Sequence, residues 1–520
     1  MISKDQPTAR EIVEYGDYQT PAPFAAAVCR KLRAFYGLAP MTVIEPTFGN
    51  GGFFRGILSE FPGVRALYGV EINEQHYAQA MRLVSEMGKA LPAALHVKLF
   101  NDDIFSFDFG SIKKTLLPDE PVLIVGNPPW GTNARLSLMG SSNLPVKSNF
   151  KKCSGLDAIT GKGNFDLAET IIIRLLHEFG EYDYTLAMLC KSVVAKNMVR
   201  DMNVLPFNMS TVDFFTFDAR EVFGTDCDAG LLVIRAGDTR AHFCSVYDLE
   251  SLAPIKQFGW SGGLFCSDLM QCSSGINGAC QFEWRQGIKH DCSKVMELKR
   301  KGEVGRYENG FGEICEFRLG KYVYPLAKSS DIRSREVTET KRCVIVPQKR
   351  VGGDTSTIKN DDPSLWSYLT RHENLLSSRK SVLNKKSPPF SIFGVGDYSF
   401  AKYKVGISGF YKTPVFSLVH GEYPVMLDDT CYFIGFDRLS DALFTVALLN
   451  QNETIDFLRS IAFLDSKRPY TKEILKQIDL LKLARRVDFK AVAEFAASMP
   501  GMYSVTEEAF DLYRKMVLPI

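Results

Sequence analysis

The sequence predicts an α/β protein built on a doubly wound, Rossmann-like parallel sheet. Over the first 240 residues, short apolar runs alternate with segments of helical periodicity, which is the pattern of repeated β-α units. The central run, residues 122–125 (VLIV), is typical of a strand that is buried on both faces. An acidic or amide residue ends or follows each of the first four predicted strands, where open α/β sheets bind their ligands.

Length and composition limit the kind of protein this is. At 520 residues the chain is expected to form two or three domains. The sequence does not start with a signal peptide, and no apolar run is long enough to span a membrane. We therefore expect a cytoplasmic protein with no membrane partner. The twelve cysteines are scattered without a C-x-x-C pair, which predicts reduced thiols and no metal site.

The first β-α turn is glycine-rich. A helix is predicted over residues 23–36, and the strand that follows it ends at Glu45. Gly49, Gly51 and Gly52 then form a turn that opens a helix reaching about residue 61. The turn lacks the third glycine of the dinucleotide-binding motif. Because a carboxylate at the strand end also disfavours a pyrophosphate, this turn favours a zwitterion or a ribose.

Acidic residues also mark the ends of the second and third predicted strands. Residues 66–71 form a strand that closes on Glu71, about twenty residues after the glycine turn, where nucleotide-binding folds place the acid that binds ribose hydroxyls. A helix separates this strand from the next, over residues 96–99, which leads into Asp102 and Asp103. Three acidic positions in one crevice favour a neutral or cationic ligand that carries a nucleoside.

The fourth predicted strand runs into the turn Asn127-Pro128-Pro129-Trp130. Its two prolines end the strand and stiffen the turn. The side-chain oxygen of Asn127 and the carbonyl oxygen of Pro128 are two acceptors that suit an amino group, which has two hydrogens to donate. Engaging both hydrogens localises the nitrogen lone pair and helps the amine attack an electrophile. Trp130 offers a flat face to a planar ring. The alternative is a structural proline turn with a core tryptophan.

The remainder of the first domain completes the α/β pattern. Residues 131–163 are predicted to be a loop, and two helices and a strand follow. Residues 212–217 and 230–235 are expected to form a closing β-hairpin around Phe223. We therefore predict domains of residues 1–240 and 241–520.

The second domain is predicted to be a mixed α/β region with strands and with helices over 439–450, 454–462 and 471–486. Residues 311–420 contain eighteen Lys and Arg against ten Asp and Glu, although the net charge of the chain is only +2. Such a local excess is typical of a surface that binds a polyanion. The basic residues expected to contact phosphates are Lys321, Arg342, Lys349, Arg350, Arg379, Lys380, Lys402 and Lys404.

Taken in order, these motifs resemble the gamma class of S-adenosylmethionine-dependent amino-group DNA methyltransferases. The resemblance covers residues 15–235 and rests on Tyr18-x-Thr20-Pro21, Glu45-Pro-x-x-Gly49-x-Gly51, Glu71, Asp103 and Asn127-Pro-Pro-Trp130. The adenine-N6 methyltransferases of type II restriction–modification systems are the most similar group. The resemblance implies a class I methyltransferase sheet in residues 1–240 and a target-recognition domain in residues 241–520.

The resemblance also implies which residues bind S-adenosylmethionine. Those residues are Tyr18, Thr20, Pro21, Glu45, Gly49, Gly51, Glu71, Asp102, Asp103 and Asn127. Tyr18 and its neighbours would hold the methionine end, and Glu71 would bind the ribose hydroxyls. Asp103, with Asp102 as its rival, would bind the adenine amino group.

For the target, the resemblance implies an adenine flipped out of double-stranded DNA. Asn127, Pro128, Pro129 and Trp130 would form the catalytic turn, with Trp130 on one face of the base and Phe223 on the other. A monomer in a bacterial or archaeal cytosol, with its cognate restriction endonuclease on a separate chain, is the expected form. Cytosine-N4 or RNA methylation and a non-catalytic subunit remain alternatives.

Overall fold

The computed structural model describes residues 18–88, 95–117, 120–131, 166–205, 207, 209–302, 305–379 and 387–516. The chain divides into two compact units, Met1–Met270 and Gln271–Ile520. Each unit has its own hydrophobic core. The loop predicted over residues 131–163 lies, apart from Gly131, outside the described residues.

The first unit is built on a ten-stranded sheet. Its strands are β1 (Thr42–Glu45), β2 (Ala66–Glu71), β3 (His96–Asn101), β4 (Val122–Gly126), β5 (Tyr184–Lys191), β6 (Thr211–Phe217), β7 (Ala229–Arg235), β8 (Phe243–Asp248), β9 (Pro254–Ser261) and β10 (Leu264–Cys266). The helices described in it are α1 (Ala22–Tyr36), α2 (Phe54–Glu60), α3 (Glu74–Met87), α4 (Gly110–Lys113), α5 (Leu167–Phe179), α6 (Ser192–Asp201) and α7 (Ala219–Phe223).

Five parallel strands in the order β3-β2-β1-β4-β5 form the doubly wound part of this sheet. The strand order reverses between β1 and β4, and open α/β sheets bind ligands at such a switch point. β7 pairs antiparallel with β5 and β6, as expected for the closing hairpin. The predicted fold class is confirmed.

Beyond the hairpin, β8, β9 and β10 extend the same sheet past residue 240. These three strands are not predicted from the sequence pattern. The division into a catalytic domain and a recognition domain at residue 240 remains a prediction about function.

Local sequence signals account for the element bounds near the site. All five residues of β4 are buried between β1 and β5, and Pro128 cannot continue the strand because it has no N–H to donate. Helix α1 ends at Gly37, which has a φ of 66° and donates its N–H to the carbonyl of Arg33. Asn73 caps α3 by accepting two backbone N–H groups of its first turn.

The second unit contains a five-stranded sheet and a six-stranded sheet. Their strands are β11 (Arg285–Gln286), β12 (Glu297–Arg300), β13 (Arg306–Glu308), β14 (Ile314–Glu316), β15 (Val323–Ala327), β16 (Glu336–Val337), β17 (Arg342–Ile345), β18 (Tyr403–Ser408), β19 (Phe416–His420), β20 (Met426–Leu427) and β21 (Cys431–Phe436). Its helices are α8 (Ser293–Met296), α9 (Ile358–Asp361), α10 (Pro363–Arg371), α11 (Glu373–Ser377), α12 (Leu439–Leu449), α13 (Asn452–Ile461), α14 (Lys472–Leu475), α15 (Leu480–Arg486), α16 (Phe489–Ala497) and α17 (Glu507–Met516).

One predicted helix of the second unit is wrong. The sequence predicts a single helix over residues 471–486, whereas the structure has the two helices α14 and α15 there. Asp479 separates them. Its side chain caps α15 by accepting the N–H of Lys482, and its own N–H donates to the carbonyl of Ile276. A residue that caps one helix does not continue the preceding one.

The oxidation state of the cysteines agrees only in part with the prediction. Nine of the described cysteines carry free thiols, whereas Cys266 and Cys272 are disulfide-bonded, so the prediction that all thiols are reduced is wrong for these two. Within the described ranges, no helix is long and apolar enough to cross a membrane. The same ranges contain no group of three or more His, Cys, Asp or Glu side chains arranged to hold a metal ion.

Candidate active site

A cleft of about 710 Å³ lies at the switch point of the first sheet. The residues that follow β1, β2, β3 and β4 line it, which brings four separate predictions together in one place. A smaller cavity of about 250 Å³ adjoins the cleft and shares Tyr18, Gly49 and Asn127 with it. No lysine or arginine lines either space among the described residues. The site therefore suits a ligand with positive charge.

The glycine turn is folded onto the carboxylate of Glu71. The N–H of Gly49 donates to Glu71 Oε2 at 2.9 Å, and the N–H of Asn73 donates to Oε1 at 2.7 Å. Gly49 has a φ of 54°, and a Cβ there would lie 2.4 Å from the side-chain oxygen of Gln19. The positive φ favours glycine at this position, and any other side chain would displace the Gln19 amide. The two backbone donors fix the direction of the Glu71 carboxylate.

Glu45 ends β1 with a buried carboxylate. It is 2% exposed, and its Oε2 atom has no hydrogen-bond partner among the described residues. Burial, together with the nearby Glu71 carboxylate, holds the pKa of Glu45 well above its ordinary range. The hydroxyl of Thr47, two residues further on, is also buried without a partner there. Unpartnered buried acceptors are costly, and a cationic ligand would satisfy them.

Asn127 presents an acceptor to the cleft. Its Nδ2 atom donates to the carbonyl of Tyr18 at 2.8 Å. That bond uses the donor side of the amide, and the Oδ1 atom is buried without a partner among the described residues. A buried acceptor of this kind costs free energy unless a ligand pairs with it. The side chain is therefore oriented for a ligand that donates a hydrogen.

Trp130 is fixed by the end of β5. It is 7% exposed, and its indole N–H donates to the carbonyl of Leu189 at 3.2 Å. The ammonium of Lys191 donates to the carbonyl of Trp130 and to Asp166 Oδ2, both at 2.7 Å. Burial raises the pKa of Asp166 and the Lys191 charge opposes that rise. The last residue of the proline turn is thus held at both its ring and its backbone.

Two aromatic side chains pack on Trp130. The ring centroid of Phe223 lies 5.1 Å from it at an angle of 74°, and that of Tyr18 lies 5.8 Å away at 36°. A base sandwiched between two rings needs roughly 7 Å between them, twice the base spacing of roughly 3.4 Å along a strand. The structure therefore brings Phe223 to Trp130, as the resemblance implies, but with the two rings in direct contact.

The structure gathers most of the predicted cofactor residues. The cleft is lined by Tyr18, Gly49, Glu71, Asp102, Asp103, Asn127 and Pro129, and the smaller cavity by Tyr18, Thr20, Glu45, Gly49 and Asn127. Five predicted site residues do not line either space. Pro21 is exposed at the start of α1, Gly51 lies inside the turn at a φ of 84°, Pro128 and Trp130 are buried, and Phe223 packs on Trp130. Asp102 is more exposed than Asp103.

Several residues of the site were not identified from the sequence, among them Gln19, Thr47 and Lys191. Gln19 accepts the N–H of Asn50 at 2.9 Å, Thr47 has a buried hydroxyl without a partner among the described residues, and Lys191 anchors Trp130. Gln19 and Thr47 stand between the residues that make up the motifs, so the motif residues gave no signal for them. Lys191 ends a strand next to a helix start, and only the fold shows which carbonyl it reaches.

Two of the residues predicted to contact phosphates have buried or half-buried cations. Lys404 is 1% exposed, its ammonium donates to the carbonyl of Ala401 at 2.7 Å, and burial lowers its pKa to about 7. Arg379 is half-buried and its guanidinium donates to three backbone carbonyls. These placements correct the expectation that both side chains lie on an exposed basic surface, because each cation is committed to backbone oxygens.

The other predicted phosphate contacts remain predictions. Three of them form ion pairs at their own surface: Lys321 with Asp361, Arg342 with Asp331, and Arg350 with Asp397. Lys349 and Lys402 are exposed, and Lys380 lies outside the described residues.

The doubly wound sheet with an acid-lined cleft at its switch point is the fold of a class I S-adenosylmethionine-dependent methyltransferase. The type II methyltransferase M.NspV of Nostoc sp. (strain ATCC 29411 / PCC 7524) is 36% identical over 482 residues, which are 91% of this chain and 98% of that protein. The chain therefore belongs to the type II methyltransferases of restriction–modification systems, a family whose cofactor is S-adenosylmethionine. No family model matches the chain.

A solved structure gives the same fold over nearly the whole length. The type IIL restriction–modification enzyme MmeI, determined in complex with DNA, covers 98% of this chain and 77% of its own at 12% identity and a TM-score of 0.52. At that identity the likeness concerns the fold alone.

The residues of the site fit S-adenosylmethionine. Its methionine end carries an ammonium group, for which the buried Glu45 carboxylate and the Thr47 hydroxyl are acceptors. Its ribose has two hydroxyl donors, which a carboxylate oriented like that of Glu71 can accept. Ile72, 47% exposed beside Glu71, offers an apolar surface to a planar ring.

Proposed function

We propose that this protein methylates the N6 amino group of an adenine that is flipped out of double-stranded DNA at a specific site. The observation that carries the proposal is the orphaned acceptor of Asn127, buried at the switch point beside the acid-lined cleft. An amino group is the ligand that this acceptor lacks. The proline turn next to it supplies a second acceptor, the carbonyl of Pro128.

The position of each residue in the cleft supports the proposed roles in cofactor binding. Glu45, Thr20 and Tyr18 hold the methionine end in the smaller cavity. Glu71 binds the ribose hydroxyls, and Asp103 binds the adenine amino group, with Asp102 as the more exposed alternative. Gly49 lines both spaces and donates its N–H to the Glu71 carboxylate, which it thereby orients toward the ribose.

The mechanism needs alignment more than acid–base chemistry. S-adenosylmethionine supplies a methyl group that is already activated by a positively charged sulfur. Asn127 and Pro128 accept the two amino hydrogens and so localise the lone pair of the target nitrogen. Trp130 stacks on the base, and Phe223 covers the opposite face after moving away from Trp130. The amine loses its proton after the methyl group has been transferred, so no strong base is required.

Residues 241–520 are proposed to read the DNA sequence and to bind the backbone through their basic residues. The cognate endonuclease is a separate chain with the same recognition site. One monomer is sufficient, since a half-methylated site requires modification of one strand at a time.

Labelled S-adenosylmethionine and unmethylated duplex DNA test the proposal directly. We expect label in N6-methyladenine, mapped to one short sequence, after enzymatic digestion to nucleosides. Label in N4-methylcytosine would move the assignment to the other amino-bearing base. No transfer to DNA by protein that still binds the cofactor would refute the proposal and favour an RNA substrate or a non-catalytic subunit.

Glu45 gives the proposal a pH dependence. The cofactor ammonium pairs with the ionised carboxylate, so binding must expel the proton that burial retains there. Because the pKa of Glu45 is raised, affinity for S-adenosylmethionine should rise with pH up to that pKa and then level off. Calorimetric titration in buffers of different ionisation enthalpy should detect proton release on binding.

The variant Glu45→Gln should bind the cofactor more weakly and without this pH dependence. The unliganded variant should also unfold at a higher temperature at neutral pH. A raised folded-state pKa means that the stability of the native protein falls as pH rises from the unfolded to the folded pKa, and glutamine removes that loss. Glu60→Gln is the control, since Glu60 is a buried acid that pairs with Arg30 outside the cleft. An unchanged pH dependence in Glu45→Gln would contradict the assignment.

A further inference from the structure

A cationic pocket lies in the second unit, at the turn between β18 and β19. Its volume is about 700 Å³. Ile332, Ile407 and Val415 form an apolar floor, and Arg333 and Lys412 stand at the rim. No carboxylate lines this pocket among the described residues.

The two rim cations are not neutralised locally. Neither Arg333 nor Lys412 forms an ion pair with a described residue, and both are exposed. Three of the basic residues predicted from the sequence, Lys321, Arg342 and Arg350, each have a carboxylate partner instead. The positive charge of Arg333 and Lys412 is therefore available to an anion at the pocket.

Arg333 is held in a fixed orientation. Its Nε atom donates to the hydroxyl of Tyr411 at 2.7 Å, and its guanidinium lies 4.7 Å from the centre of the Tyr411 ring. These contacts use one N–H and one face of the group. Both terminal Nη atoms have no hydrogen bond to a described residue, so they form a fork of the kind that binds two oxygens of a phosphate.

The opposite side of the pocket is also fixed. The carbonyl of Lys412 accepts a hydrogen bond from the hydroxyl of Tyr470 at 2.7 Å, which anchors the turn while the Lys412 ammonium remains exposed. Ser408 and Thr413 are hydroxyl-bearing residues that line the same pocket. Hydroxyl groups and a point positive charge are common partners of DNA phosphates.

We propose that this pocket binds a phosphate of the DNA backbone, with Arg333 as the bidentate contact and Lys412 as the second cation. The proposal rests on the proposed function, because it assigns a part of the surface that holds the DNA. It adds two residues that the sequence pattern did not single out. Their role is to position the duplex, since phosphate contacts carry no sequence information directly.

Salt dependence of DNA binding tests the proposal. The full chain and its variants are titrated against a labelled duplex at several salt concentrations, by fluorescence anisotropy. Neutralising one phosphate contact lowers the slope of log Kd against log salt by about 0.9. We expect that change for Arg333→Gln and for Lys412→Gln, and a smaller one for Arg333→Lys, which keeps the charge but not the fork.

Lys490→Gln is the matched control, because Lys490 is an exposed lysine of α16 in the same unit, with 86% of its side chain exposed. Slopes for Arg333→Gln and Lys412→Gln equal to that of the control would overturn the proposal. So would a wild-type chain that does not bind duplex DNA. Inorganic phosphate that binds the wild-type chain but not Arg333→Gln, with the same DNA slope for both chains, would identify a free-anion site and exclude the DNA backbone as the ligand.

This test is independent of methyl transfer. If the chain transfers no methyl group to DNA but both variants have lower salt slopes, the proposed function is refuted and the phosphate site is supported. If the chain methylates DNA but neither variant changes the slope, the proposed function is supported and the phosphate site is refuted.

Discussion

Replacing Asn127 by alanine should abolish methyl transfer while S-adenosylmethionine still binds. The substitution removes the buried acceptor that has no hydrogen-bond partner among the described residues. Removing one hydrogen bond to a group that changes in the transition state lowers kcat by about 10²–10³-fold. We expect a loss of at least this size, because the Asn127 oxygen is one of only two acceptors proposed for the amino group.

The measurement is a single-turnover rate with labelled cofactor, together with cofactor affinity by calorimetry. Asn127 also donates to the carbonyl of Tyr18, so the alanine variant loses a local contact as well as the acceptor. Asn197→Ala is a matched control. Asn197 donates to Glu169 Oε2 at 2.8 Å away from the cleft, and its loss should leave the rate unchanged. A full rate in Asn127→Ala would refute the role assigned to this residue.

Much of the first sheet could be predicted from the sequence because its signals are local. A buried parallel strand requires an apolar run, and such a run must end where the chain turns toward solvent. The predicted strand over residues 66–71 matches β2, and the helix predicted between this strand and the next is α3. The residues that end these strands, such as Glu71, then fall at one edge of the sheet without further assumption.

The sequence could not show which polar residues turn inward. Lys404 begins a strand among other polar residues, and only the packing of β18 between β19 and β21 buries its side chain. Arg379 looks like a surface cation, but carbonyls from three separate positions surround it. Contacts between distant segments decide both cases, and periodicity within one segment carries no information about them.

Trp130 combines the two alternatives that the sequence left open, a stacking platform and a core residue. Its ring belongs to the buried core of the first unit, and it also contacts Phe223 and Tyr18 at the cleft side. Trp130→Ala should therefore lower both stability and activity. Removing a buried tryptophan typically costs about 3–5 kcal/mol of unfolding free energy. Loss of the flat face should slow methyl transfer in addition.

Trp130→Phe separates the two effects. Phenylalanine keeps an aromatic face for the base but cannot donate to the carbonyl of Leu189, and it leaves the contact between Lys191 and the Trp130 carbonyl intact. We expect it to remain folded, with a smaller loss of stability than the alanine variant, and to retain a large part of the single-turnover rate. Thermal unfolding and the rate are measured on the same preparations, with the rate taken well below the unfolding temperature.

The comparison of the two variants decides the role of the ring. If Trp130→Ala, measured while folded, transfers methyl groups as fast as Trp130→Phe, the face of Trp130 does not contribute to the reaction and the residue is structural. If only the alanine variant is slow, the base stacks on this ring. Phe223 must then leave its contact with Trp130 before the base can enter, because the 5.1 Å between the two rings is too short to hold a base. Opening of this aromatic pair would therefore accompany every turnover.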